Sequence, residues 1–147
     1  MDRITVEFPR GVWRHSHTLS VRIGDMNHAR HLGHDTLISL LQEARAAALV
    51  TLGVDERNIG GYPALVAELA VQYHSETRWP DMLEIETAIP VPEGKGLRVF
   101  HRVTHRADRR LAATAMLTLL LVDPSRGGKV VPLPECLVSR LASGTSA

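Results

Sequence analysis

Most of the side chains that could do chemistry crowd into one short stretch, where Asp25, Asn27, His28, His31, His34 and Glu43 follow one another. A carboxylate can take a proton from water, and an imidazole titrates close enough to neutrality to act as base or donor. Asn27 differs, because a neutral amide only orients water or donates a hydrogen bond at pH 7. Asp25 shares the parity of Leu19, Val21, Ile23 and Asn27. An extended strand would therefore aim it inward, where an unpaired carboxylate is costly and so invites a functional role. An Asx-type turn after Ile23-Gly24 would give the same residue a purely local task. His31 and His34 are read as base or donor, with a loop-holding hydrogen bond as the other reading of His31. His28, His31 and His34 at spacings of three, with Asp25 or Asp35, would suit a metal only on a helix. Gly33 speaks against a helix there, and no metal is expected.

A second group lies further on. Arg98, Arg102 and Arg106 share one parity of a strand pattern, and Arg109 and Arg110 follow closely. Such a row can meet an anionic ligand or stand as a solvated sheet face partnered by Glu84 and Glu86 across a hairpin. It is no nucleic-acid signature, because Phe100 is its only aromatic companion and the formal net charge is +1. His101 and His105 take the opposite parity and read as polar positions on a strand face or a subunit seam. His15 and His17 read as surface residues ahead of the first strand.

The elements that must position these groups follow from periodicity. Leu19, Val21 and Ile23 alternate with Thr18, Ser20 and Arg22 as a half-buried strand. Leu37, Leu41, Ala44, Ala48 and Leu52 then repeat at fours and threes, which predicts one long helix over 36–52. Asp35 reads as its N-cap and Gly53 as its C′ stop. Four strand patterns follow without another long helix. One starts at Leu65, one at Leu83, one at Leu97, and one spans Leu111 to Val122. The last is apolar at both parities, so it must be covered on both faces or lie in a subunit contact. Turn chemistry separates them at Trp79-Pro80-Asp81, Pro92 to Gly96 and Ala107-Asp108-Arg109.

The chain of 147 residues suits one α+β domain over 1–142, an antiparallel five-stranded sheet wrapped on one helix, with a disordered tail at 143–147. A sheet so arranged leaves edges to cover, so a homo-oligomer is expected, a dimer or a dimer of dimers. The single cysteine, Cys136, excludes an intramolecular disulfide and a cysteine zinc cluster. No apolar leader opens the chain and no run approaches membrane-spanning length, so a cytoplasmic protein is expected.

The stretch Val21-Arg22-Ile23-Gly24-Asp25-Met26-Asn27-His28-Ala29-Arg30-His31-Leu32-Gly33-His34, followed by Gln42-Glu43-Ala44-Arg45, resembles the hotdog thioesterases. It is most similar to the branch holding 4-hydroxybenzoyl-CoA thioesterase and the bacterial acyl-CoA thioesterases. Tyr73 to Thr87, Ala112-Ala113-Thr114-Ala115 and Val131-Pro132-Leu133-Pro134 extend the likeness toward the C-terminus.

The resemblance implies a hotdog fold without a cofactor and hydrolysis of an acyl-CoA or acyl-carrier-protein thioester. Its carbonyl would be polarised at the N-terminus of the helix, by the N–H of His34. The family's catalytic aspartate aligns with Asn27, so another group must supply the base. Asp25 is one candidate. Glu43 is the other, because a separate group of hotdog thioesterases carries its carboxylate on the helix, and Asn27, His34 and Glu43 loosely resemble that set. Glu43 lies off the apolar stripe, beside Ser39, Ala46 and Ala47, where a salt bridge is the plainer role. Under the same resemblance, Arg98, Arg102 and Arg106 would meet the phosphates of CoA or an acidic carrier. A non-catalytic hotdog module that binds acyl-CoA or serves assembly is the alternative that Asn27 favours. An aliphatic lining points to an aliphatic acyl group.

Overall fold

The computed structural model describes residues 3–144. After an N-terminal segment, β1 (Trp13–Ser20) leads through a 3-10 turn at Ile23–Asp25 to α1 (His34–Thr51). Four strands follow: β2 (Ala64–Tyr73), β3 (Met82–Ile89), β4 (Gly96–His105) and β5 (Leu111–Asp123). A short β6 (Lys129–Val131) and α2 (Glu135–Ser143) close the chain. The sheet is antiparallel in the order β1-β3-β4-β5-β2, and β6 adds to the end of β5. This is the α+β hotdog arrangement, with α1 held against the concave face.

Local chemistry explains the elements. In α1, Leu37, Leu40, Leu41, Ala44, Ala48 and Leu49 are buried, which is the stripe expected of a helix packed on one side. Gly53 takes φ +76°, the left-handed conformation that stops a helix at C′. Inner positions of β4, from Leu97 through Val99, His101 and Val103 to His105, are all buried. The intervening arginines lie on the outer face, where Arg102 bonds Glu86 of β3 at 2.8 Å. The N-terminal segment crosses that face, and Phe8 lies between the guanidinium groups of Arg14 and Arg102, 4.8 and 4.5 Å from its ring centre.

Several expectations need correction. The first strand starts earlier and stops sooner than its alternation suggests. His15 and His17 sit in β1, half-buried, while Val21 to Asp25 has left the strand. Helix α1 begins at His34 with Gly33 as N-cap, so Asp35 lies in the first turn rather than before it. Of the two readings of His101 and His105 the strand face holds, and it is the inner one, where they are buried at 1% and 3% exposure. Helix α2 was not anticipated, since nine residues carry too few repeats for a periodic signal. It runs through Ser143, one residue past the expected domain end, and residues 145–147 of the expected tail lie outside the described residues. Strand β2 is one edge of the sheet and β1 the other. Leu65, Val66, Leu69 and Tyr73 are each more than two-fifths exposed, and a bulge at Val66/Glu68 breaks the simple alternation. Among the described residues no helix is long and apolar enough to cross a membrane.

Candidate active site

The site forms where the β1–α1 connection meets the turn between β2 and β3. Asn27 shapes the first of these loops. Its Oδ1 accepts the N–H groups of Ala29 and His31, at 3.0 and 3.2 Å, while its own N–H reaches His31 O at 2.7 Å. Arg30 completes the tight loop at φ +63°. Among the described residues the Asn27 amide nitrogen has no hydrogen-bond partner, which leaves it available as a donor.

The second loop is tied to the first by Leu32 N–H, which donates to Thr77 O at 2.7 Å. It brings a carboxylate with it. Glu76 Oε2 lies 3.3 Å from His31 Nε2 and 3.2 Å from the Arg78 guanidinium, which itself stands 2.8 Å from His31 Nε2. Beneath this group His105 is buried, with Ser75 Oγ and Thr77 Oγ1 each 3.4 Å from Nε2 and Asp81 3.5 Å from Nδ1. Ser75 Oγ donates more firmly to Leu111 O, at 2.7 Å. His105 therefore serves as a hub that holds the loop.

Helix α1 enters the site with its first turn uncapped by any side chain. The first intrahelical bond is Leu37 N–H to Gly33 O, so the N–H groups of His34, Asp35 and Thr36 precede it and have no helical acceptor. A Cβ on Gly33 would fall 2.8 Å from Asp35 Oδ1 and 3.2 Å from Thr36 Oγ1, so a larger residue would displace those side-chain oxygens. Tyr73 of β2 donates its hydroxyl to His34 O at 2.8 Å. Burial raises the Tyr73 phenol above its usual range, and the Asp35 charge adds to this, so it remains a proton donor.

Asn27, His31, His34, Tyr73, Ser75 and Glu76 line one cavity of about 360 Å³. The other sequence candidates lie elsewhere. Asp25 is 6% exposed and accepts the Arg22 N–H at 2.8 Å, closing the 3-10 turn. The strand parity that aimed it inward ends with β1 at Ser20. Glu43 faces β1 and pairs with His17 Nε2 at 2.6 Å. Arg98 and Arg102 are on the outer sheet face, Arg98 over the Phe100 ring at 4.9 Å, and Arg106 is exposed beyond β4. Glu76 escaped the sequence reading because no spacing rule links it to His31. The polar run from His74 to Arg78, following an alternating strand, was the available signal.

A family model for the thioesterase-like superfamily matches residues 21–141. The chain belongs to that superfamily. A search of the curated proteins gives no match. Among solved structures, the 1,4-dihydroxy-2-naphthoyl-CoA thioesterase of Synechocystis superposes with a TM-score of 0.80 at 14% identity, over 88% of this chain and 96% of that one. The 4-hydroxybenzoyl CoA thioesterase of Pseudomonas sp. strain CBS-3 gives 0.75 at 18% identity, over 86% and 98%. The PA5185 protein of Pseudomonas aeruginosa gives 0.77 at 20% identity, over 95% and 99%. At such identities the likeness establishes the hotdog fold.

Proposed function

We propose that this protein is a thioester hydrolase acting on an acyl-CoA or an acyl-carrier-protein thioester, with Glu76 as the base that Asn27 cannot be. The observation that carries this reading is the single cavity shared by the uncapped N-terminus of α1, Asn27, His31 and Glu76, the last paired with Arg78. The thioester carbonyl oxygen accepts from His34 N–H and Asn27 Nδ2, where the helix dipole also favours negative charge. Glu76 takes a proton from water as the water oxygen bonds to the carbonyl carbon. The tetrahedral adduct then expels the thiolate, which recovers the proton from Glu76 and leaves a free acid and a thiol. His31 and Arg78 position Glu76 near the carbonyl.

The test is a thiol-release assay on acyl-CoAs of graded length. Glu76→Gln should lower kcat by about 10²- to 10⁴-fold, the usual contribution of a general base. Asp25→Asn and Glu43→Gln should stay within a few-fold of the parent, per folded molecule. Loss confined to either of those two would move the base to that residue.

A second reading rests on the fact that the Asn27 oxygen is committed to two backbone N–H groups. If the loop has become purely structural, the protein is a hotdog module that binds acyl-CoA without turnover. Measurable binding with no thiol release at any chain length would select it.

The open β2 edge suits a second copy of the chain, since a half-exposed strand carrying Leu65, Val66 and Leu69 presents both unpaired backbone groups and apolar side chains. The dimer, or a pair of dimers, would lie against the mouth of the cavity at Tyr73. An exposed free Cys136 accords with a reducing, cytoplasmic setting.

A further inference from the structure

Further along α1 from the thioester cavity, whose wall includes Leu37, lies a second cavity of about 130 Å³ between α1 and β2, walled by Leu41, Leu69 and Leu117 and also bordered by Gln42, Arg45 and His101. An apolar recess needs no histidine. His101 is 1% exposed, its Nδ1 lies 3.0 Å from Thr87 Oγ1, and its Nε2 is buried without a partner among the described residues. Buried polar atoms left unpaired are rare and costly, so this one calls for a reason.

The proton arrangement can be argued. Thr87 is fully buried and its hydroxyl has no other bond. If Thr87 donates to Nδ1, both of those groups are satisfied and the ring proton sits on Nε2; the reverse tautomer leaves two groups unsatisfied instead of one. Burial, aided by the Arg45 charge, pushes the His101 pKa down to about 3, so the ring is neutral at working pH. The Arg45 guanidinium is itself engaged by Glu56. Among the buried groups of the recess, what remains unused is one neutral N–H donor, the Gln42 amide belonging to an exposed residue at its border.

Two rulers place that donor relative to the reaction. On α1, His34 to Gln42 spans eight residues, about 12 Å at the helical rise. On β5, Ala112 lines the first cavity and Leu117 the second, with Ala115 directly opposite His101. Those offsets correspond to about 10–16 Å along a strand. A staggered carbon chain advances roughly 1.25 Å per carbon, so the distance matches about eight to twelve carbons.

We propose that the second cavity receives the distal part of an aliphatic acyl chain and that His101 Nε2 donates to an oxygen carried there, a hydroxyl or keto group. The substrate class would be medium-chain acyl thioesters oxygenated far from the thioester. This deepens the hydrolase reading and rests on it for turnover, though not for binding.

The experiment compares 10-hydroxydecanoyl-CoA with decanoyl-CoA, with eight- and twelve-carbon pairs beside them. Both kcat/KM and the Kd by calorimetry are measured. The parent protein should prefer the oxygenated member of at least one pair by about tenfold or more, since the plain chain leaves a buried donor unpaired. In His101→Leu that preference should vanish or reverse, with the plain chain gaining. In His101→Gln, which keeps a donor, part of it should survive; this variant also serves if His101→Leu does not fold. A parent protein that hydrolyses both chains equally, or a preference that survives in His101→Leu, overturns the inference and leaves the hydrolase reading standing. Absence of turnover on every chain overturns the hydrolase reading instead, and the Kd comparison then decides the inference alone.

Discussion

The two ends of α1 face cores of opposite character. Around its C-terminal half, Leu49, Leu52, Ile59, Leu119 and Leu121 pack with Leu137 and Leu141 of α2 into an aliphatic cluster closed to solvent. Around its N-terminal half, β5 turns to Ala112, Ala113 and Ala115, and these face Ala44, Leu37 and Leu41. Polar groups are buried there too, among them Asp25, Thr77, His105 and Thr114. The change is written along a single strand, from Ala112-Ala113-Thr114-Ala115 to Leu117 and Leu119-Leu120-Leu121. Leucine fills space and alanine leaves it, so the same helix is anchored at one end and hollowed at the other. Stability and chemistry are thus assigned to separate ends of one element.

That division can be broken by experiment. Leu119→Ala, at the closed end, should cost about 2–5 kcal/mol in a urea melt while leaving kcat per folded molecule unchanged. A large fall in kcat would mean that the ends are not independent. The hollow end should reveal itself in acid. Burial holds the His101 pKa at about 3 in the folded protein, against the ordinary imidazole value of 6.5 in the unfolded chain. The unfolded chain therefore takes up the proton first. The stability that His101 contributes is present above about pH 6.5 and is lost as pH falls toward 3, by up to roughly 1.4 kcal/mol per pH unit. His15, also lowered by burial, adds in the same direction. His101→Leu should remove most of this slope in melts recorded between these limits; an unchanged slope would assign acid sensitivity elsewhere. The smallest effect is expected at the rim. Tyr73→Phe loses one hydrogen bond to His34 O and should cost about 1 kcal/mol. It should raise KM for the thioester more than it lowers kcat, and an unchanged KM would take Tyr73 out of the binding wall.

Much of the closed end could be read in the sequence, because strand alternation and the helical stripe are local signals. Helix α1 and the four strands after it lie close to where periodicity puts them. The hollow end was less readable. Asn27, His31 and His34 are close in sequence and line one cavity, His34 as the first residue of α1. Glu76 comes from another loop, brought near by long-range contacts such as the Leu32–Thr77 hydrogen bond and the Arg78–His31 contact. Asp25 illustrates the limit of parity, which predicts direction only while the chain stays extended. Arg102 shows the same limit from another side, since a basic row does not say which face of a sheet it occupies until Glu86 opposite settles it.

The Leu32–Thr77 hydrogen bond has a dynamic consequence as well. It joins the loop that carries the Asn27 donor to the loop that carries the Glu76 carboxylate. Thermal drift of one loop must then drag the other, so their separation varies less than the position of either against the sheet. Opening to admit a long substrate would be a joint swing of both loops, and closing would restore donor and base in register without a separate search.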